Sequence, residues 1–263
     1  MSEPFQYRLC LSLAVAWLRN FRSFFRHSPG TPLRVLGLIW VDACYAACTV
    51  GSSRARRLRV AALLHYHAEL NRVLDGKTTC RRELRKTRRS LFESGFGATS
   101  ILHYTRTMTW IEQYGRRISG PTTGARLSLT RHYREAGLEV LNRALFSNAS
   151  ELRTNGTESK TLALMCLLQI LDDKLDLAKD RREGQPTFLS SLWDSTPTSR
   201  QRYERRMVRH YRNICRQGGR FAPLAISADV IATLIQWFPA KYEHTPSHRA
   251  VLRRLRLIRG LAR

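Results

Sequence analysis

Apolar positions recur along this chain every three or four residues almost from end to end, the period that stacks side chains on one face of a helix. The pattern predicts helices near 8–26, 33–49, 54–75, 80–92, 98–117, 126–147, 159–182, 199–217, 226–239 and 247–262. Alternating β-branched runs and Asn-Gly turns, the marks of strands and hairpins, are scarce. Breakers fall between the periodic segments: Ser28-Pro-Gly-Thr-Pro32, then Gly120-Pro121 with Gly124, then Gly218-Gly219. No repeat and no firm domain boundary interrupts the pattern. The expectation is an all-α fold, a single bundle of about ten helices over residues 1–263, with 1–30 as an N-terminal extension or peripheral helix.

One segment departs from the amphipathic rule. Thr161 to Leu171 is apolar nearly all round, so the first half of its helix should be deeply buried. Its second half carries Asp172, Asp173, Asp176, Asp180 and Glu183 before Gly184 and Pro186 end it. Asp172, Asp176 and Asp180 follow one another at i, i+4 and i+8 and share a face. Like charges at that spacing repel, and Asp is a poor helix-interior residue. Hard oxygen ligands so placed suit Mg²⁺, which takes one or two carboxylates and fills the rest of its shell with water and phosphate oxygens. The competing reading is an ordinary solvated helix face on which Lys174, Lys179, Arg181 and Arg182 neutralise the acids.

Charge sharpens the contrast. Forty-five Lys and Arg against 20 acids give a formal charge of +25, which implies an anionic partner. Nucleic acid, an anionic membrane surface and a phosphorylated small molecule all satisfy it. Between Arg200 and Arg212, the side chains of Arg202, Arg205, Arg209 and Arg212 line one face with Tyr203 and Tyr211 interleaved. That face could clamp diphosphate oxygens, track a nucleic-acid backbone, or simply be solvated. Arg249 to Arg263 reads as a basic amphipathic helix, to be docked on the bundle or laid on anionic lipid. Val35 to Val50 is apolar but interrupted by Asp42, and it is shorter than the roughly 20 residues a spanning helix needs. The six cysteines lack metal-ligand spacing and read as small buried residues of a reducing, cytoplasmic compartment, membrane association remaining the alternative.

At Gln169-Ile-Leu-Asp-Asp-Lys-Leu-Asp176 the chain resembles the class I isoprenoid synthase superfamily. The segment is similar to the second aspartate-rich motif of trans-polyprenyl diphosphate synthases, and Gly184-Gln-Pro186 stands where a Gly-Lys-Pro usually follows. It also resembles squalene and phytoene synthases, with Asp176-Leu-Ala-Lys-Asp180 as the Asp-x-x-x-Asp motif. The resemblance covers about 20 residues. It implies an isoprenoid-synthase-like fold and a transferase acting on a prenyl diphosphate with Mg²⁺ as cofactor. In that scheme Asp172, Asp173, Asp176 and Asp180 hold the metal with Asp42 from a facing helix, while Gln169, Lys179, Arg181 and Arg209 bind the diphosphate. Asp42 lies 130 residues before Asp172, but Ala46 stands where its acidic partner belongs. A second place for the opposing half is Leu63-Leu-His-Tyr-His-Ala-Glu69, where His65 and Glu69 are four apart and Asp75 follows. The rival expectation is a non-enzymatic basic helical protein that binds nucleic acid or an anionic membrane surface.

Overall fold

The structure is a computed structural model that describes residues 54–76, 81–146, 157–217 and 223–237. Among the described residues it is all-helical, with seven α-helices, one 3-10 turn and no strand. The helices are α1 (Arg54–Leu74), α2 (Arg81–Glu93), α3 (Ala98–Gly115), α4 (Gly124–Leu145), α5 (Thr157–Arg182), α6 (Pro197–Arg216) and α7 (Pro223–Trp237). The turn Ser190–Leu192 lies between α5 and α6. The helices expected near 8–26, 33–49 and 247–262, and Asp42 with them, lie outside the described residues.

Local chemistry explains where these helices begin and end. Thr123 precedes α4 in extended conformation, and its side chain accepts from the Arg126 backbone N–H at 3.1 Å, starting that helix two residues before the apolar pattern does. Thr196 does the same for α6, with Pro197 in the first turn, where a missing N–H costs nothing. Gly184 closes α5 at φ +65°, its N–H bonding to the Arg181 carbonyl and that of Gln185 to the Asp180 carbonyl. This Schellman pair reverses the chain at the end of the acidic segment. Phe188 and the 3-10 turn are thereby brought back alongside α5, where Thr187 and Ser190 cap each other's backbone N–H groups.

Helix α5 is the axis of the fold. Ala163, Leu164, Cys166, Leu167 and Ile170 are all essentially removed from water, as a helix apolar on every side requires. Helices α4, α6 and α7 pack around it, α2 packs on α1, and α3 packs on α4. One continuous apolar core takes residues from all seven helices, including Leu63, Leu91, Met108, Leu141, Leu167, Met207 and Ile235. Cys166 and Cys215 are buried free thiols. No described helix is long and apolar enough to cross a membrane.

Candidate functional site

The acidic half of α5 is not a solvated face. Asp173 is 1% exposed. Its carboxylate accepts from the Phe188 backbone N–H at 2.8 Å, from Gln169 Nε2 at 2.8 Å and from an Arg134 guanidinium nitrogen at 3.4 Å. Burial works against the Arg134 charge, but Asp173, Tyr133 and Glu112 outweigh it and hold that guanidinium above its ordinary range. Asp173 therefore joins α5 to α4 and to the returning 3-10 segment. Three donors around one carboxylate leave it little capacity to bind anything else.

Asp172 sits differently. Gln169 Nε2 reaches its Oδ2 at 3.2 Å, while Oδ1 is buried with no hydrogen-bond partner. Burial, then the neighbouring Asp173 and Asp176, push its carboxyl up to about 7. Asp180, one helical face further along, is pushed up to about 8 by burial and then by Asp173 and Asp176. Asp176 is closer to water and has Lys179 Nζ 3.8 Å away. The result is a partly buried ladder of acids in which burial and mutual repulsion outweigh the nearby Arg134 and Lys179 at Asp172 and Asp180.

Helix α1 carries a polar face of its own. His67, Asn71 and Asp75 follow at i, i+4 and i+8, the same register as the acids of α5. His67 Nδ1 meets the Tyr104 hydroxyl at 2.7 Å, and Asn71 Nδ2 lies 3.2 Å from His67 Nε2. Burial and then Arg134, the partner of Asp173, push His67 down to about 4, so the ring is neutral. Asn71 Oδ1, like Asp172 Oδ1, is buried without a hydrogen-bond partner. Asp75 is among the acids that sustain the Lys179 charge against burial, which sets the end of α1 near the acidic end of α5. The pair expected to act from α1 is different. His65 is exposed, and Glu69 is buried with Arg72 at 3.2 Å across one helical turn.

The bases expected around the acids are dispersed. Lys174 was expected to neutralise its own helix; instead it is 6% exposed and donates to Glu204 at 2.6 Å and to the Ile235 carbonyl at 2.7 Å, tying α5 to α6 and α7. Lys179 stays beside Asp176 and Glu183. Arg181 is exposed and lies over the Trp193 ring, 3.6 Å from its centroid. Arg209 is exposed on the side of α6 away from Glu204, Met207, Val208, Tyr211 and Cys215, the buried residues of that helix. Arg212, expected on the same face, is bound to Asp229 of α7 at 2.6 Å together with Arg216. Of the diphosphate contacts expected, only Gln169 and Lys179 stand among the acids.

Among the described residues no group of three or more His, Cys, Asp or Glu side chains converges as a metal centre. Asp172 Oδ1 on α5 and Asn71 Oδ1 on α1 are each buried without a hydrogen-bond partner, and Asp176 lies on the same face of α5 as Asp172. Mg²⁺ needs no more protein than one or two carboxylates. Arg134 and Asn71 had no role in the sequence reading, and His67 stood there only as an ordinary partly buried histidine of the Leu63–Glu69 segment. Asn71 and His67 could have been found by matching the four-residue register of α1 to that of α5; nothing marks Arg134 apart from its fellow bases. Neither the protein-family models nor the curated proteins give a match to this chain, and no solved structure matches it.

Proposed function

We propose that this protein is a class I isoprenoid-synthase-like transferase that acts on a prenyl diphosphate with Mg²⁺. The observation that carries this reading is the pair of buried, unpartnered oxygens, Asp172 Oδ1 on α5 and Asn71 Oδ1 on α1. A buried polar atom without a partner costs free energy. A carboxylate pushed up to about 7 by burial and by its acidic neighbours costs more once it ionises. A divalent cation between α1 and α5 relieves both. Asp172 and Asp176 would be its carboxylate ligands and Asn71 a neutral one in place of the acid usual on the opposing helix. Asp173, spent on Arg134, would position the ladder rather than bind metal. Mg²⁺ bound there would polarise a diphosphate oxygen and stabilise its departing charge. Lys179 is the base best placed to share that charge, and Gln169 orients the Asp172 carboxylate.

Farnesyl or geranylgeranyl diphosphate incubated with the protein and Mg²⁺ should release diphosphate. Asp172→Ala combined with Asp176→Ala should abolish the release while the chain stays folded. Asn71→Leu should weaken Mg²⁺ dependence without unfolding the chain. If neither diphosphate is turned over or bound in the presence of Mg²⁺, the proposal is wrong.

The second reading, a non-enzymatic protein that binds nucleic acid or an anionic membrane surface, draws on the exposed Arg202, Arg205, Arg206 and Arg209 of α6. It predicts binding that weakens steeply with salt and is indifferent to the Asp172 and Asp176 changes.

A further inference from the structure

Three of the large apolar side chains that remain exposed gather at one end of the bundle. They are Leu58 at the start of α1 (59% exposed), Phe92 at the end of α2 (58%) and Leu102 in the second turn of α3 (41%). The turn from Ser94 to Gly97 connects the latter two, and the Arg59 guanidinium lies over the Phe96 ring of that turn, 4.1 Å from its centroid. Leu58, the neighbour of Arg59, therefore belongs to the same corner. Around it the charge is mainly positive, with Glu93 paired to Arg89 at 3.0 Å beside Phe92. Helix α2 carries Arg81, Arg82, Arg85, Lys86, Arg88 and Arg89 against Glu83 and Glu93. Arg85, Arg88 and Arg89 precede Phe92 by seven, four and three positions, so they flank it on one helical face. All three are exposed.

We propose that this corner docks on an anionic lipid surface, with Leu58, Phe92 and Leu102 entering the headgroup boundary and the bases of α2 meeting acidic headgroups. A basic helix flanked by a compact apolar tip is the combination that binds such an interface, each element contributing separately. Nucleic acid is the less suitable occupant, because the two leucines of the tip have no favourable partner along a phosphate backbone. The inference does not depend on the metal reading, since none of these residues belongs to α5 or to the polar face of α1.

The test is sedimentation of the full chain with phosphatidylcholine vesicles, with and without phosphatidylserine. Binding should require phosphatidylserine and weaken with salt. Leu58→Ser, Phe92→Ser and Leu102→Ser together should lower it by more than about tenfold. Arg85→Gln with Arg88→Gln should lower it by roughly fivefold per base. Trp110→Ser, two turns further along α3 and also exposed, should leave it unchanged, and all variants should melt as the parent does. Binding that survives the triple apolar change overturns the proposal, as does equal loss from Trp110→Ser. Equal displacement of the parent and the triple variant by RNA would make nucleic acid the partner instead. A triple variant that keeps vesicle binding but changes stability or oligomeric state would show that the corner is covered by protein, and the proposal would fail.

Discussion

The Arg134 guanidinium of α4 lies 3.4 Å from the Asp173 carboxylate of α5, and the acid is all but sealed from water. This pair separates Asp173 from the other acids of its helix, because it is tied to α4 and to the returning 3-10 segment. Removing one partner of a buried pair strands the other charge and costs about 3–5 kcal/mol. Asp173→Ala, which also orphans the Phe188 N–H, should therefore destabilise the chain by that order in urea unfolding. Asp172→Asn removes repulsion instead and should leave the metal-free protein unchanged or firmer. Equal losses from the two changes would refute the division of roles.

Lys174 and Glu204 form the second buried ion pair, at 2.6 Å, with the Ile235 carbonyl as a further acceptor. Lys174→Met should cost about 3–5 kcal/mol, because it breaks a buried ion pair by removing one partner. Adding Glu204→Leu should recover much of the loss, since an apolar pair of similar volume avoids the desolvation of two charges. A double-mutant cycle measured by urea unfolding reads this directly.

Stability should depend on pH with a sign that the site dictates. Asp172 and Asp180 keep their protons in the folded chain up to about 7 and about 8. An unfolded Asp loses its proton near about 3.9, so the unfolded state binds fewer protons across that interval and stability falls as pH rises. His67 acts oppositely, because it is held at about 4 when folded. An unfolded His titrates near about 6.5, so stability rises with pH up to that point. The two effects oppose each other below about pH 6.5, and only the acids act above it. Thermal melts without divalent ions should show falling stability from about pH 6.5 to 8, at most about 1.4 kcal/mol per unit per group. Asp172→Asn with Asp180→Asn should flatten the profile, and Mg²⁺ should flatten it for the parent if the cation binds there.

Gly115, the last residue of α3, lies against the Tyr133 ring of α4, where an added Cβ would clash with the ring edge at Cε2 and Cζ. Tyr133 cannot swing aside freely, since its hydroxyl donates to Glu112 at 2.8 Å. Gly115→Ala should force α3 from α4 and cost about 1–3 kcal/mol by overpacking. Gly124→Ala, with nothing near its Cβ, should cost far less, and the two melting curves provide the comparison.

The all-helical character and the seven described helices were legible in the sequence because their causes are local. Apolar period, capping threonines and closing glycines act within a few residues, so the expected bounds fall within three residues of those observed. The burial of α5 was legible too, since Thr161 to Leu171 leaves no polar side for water. The 3-10 turn at Ser190–Leu192 was not, because it depends on the reversal at Gly184 and on the mutual caps of Thr187 and Ser190.

Which carboxylate joins neighbouring elements lay beyond the sequence, for a physical reason. Five acids of similar local setting differ only in what faces them. Those partners come from distant segments: Arg134 is 39 positions from Asp173, and Glu204 is 30 from Lys174. The sequence by itself determined the helices and gathered the acids at the end of the most apolar one. Only the tertiary structure decided that Lys174 leaves those acids for α6, that Arg209 faces away, and that Asn71 of α1 buries an oxygen with no hydrogen-bond partner. Periodicity is a property of the chain, whereas charge compensation is a property of what packs against it.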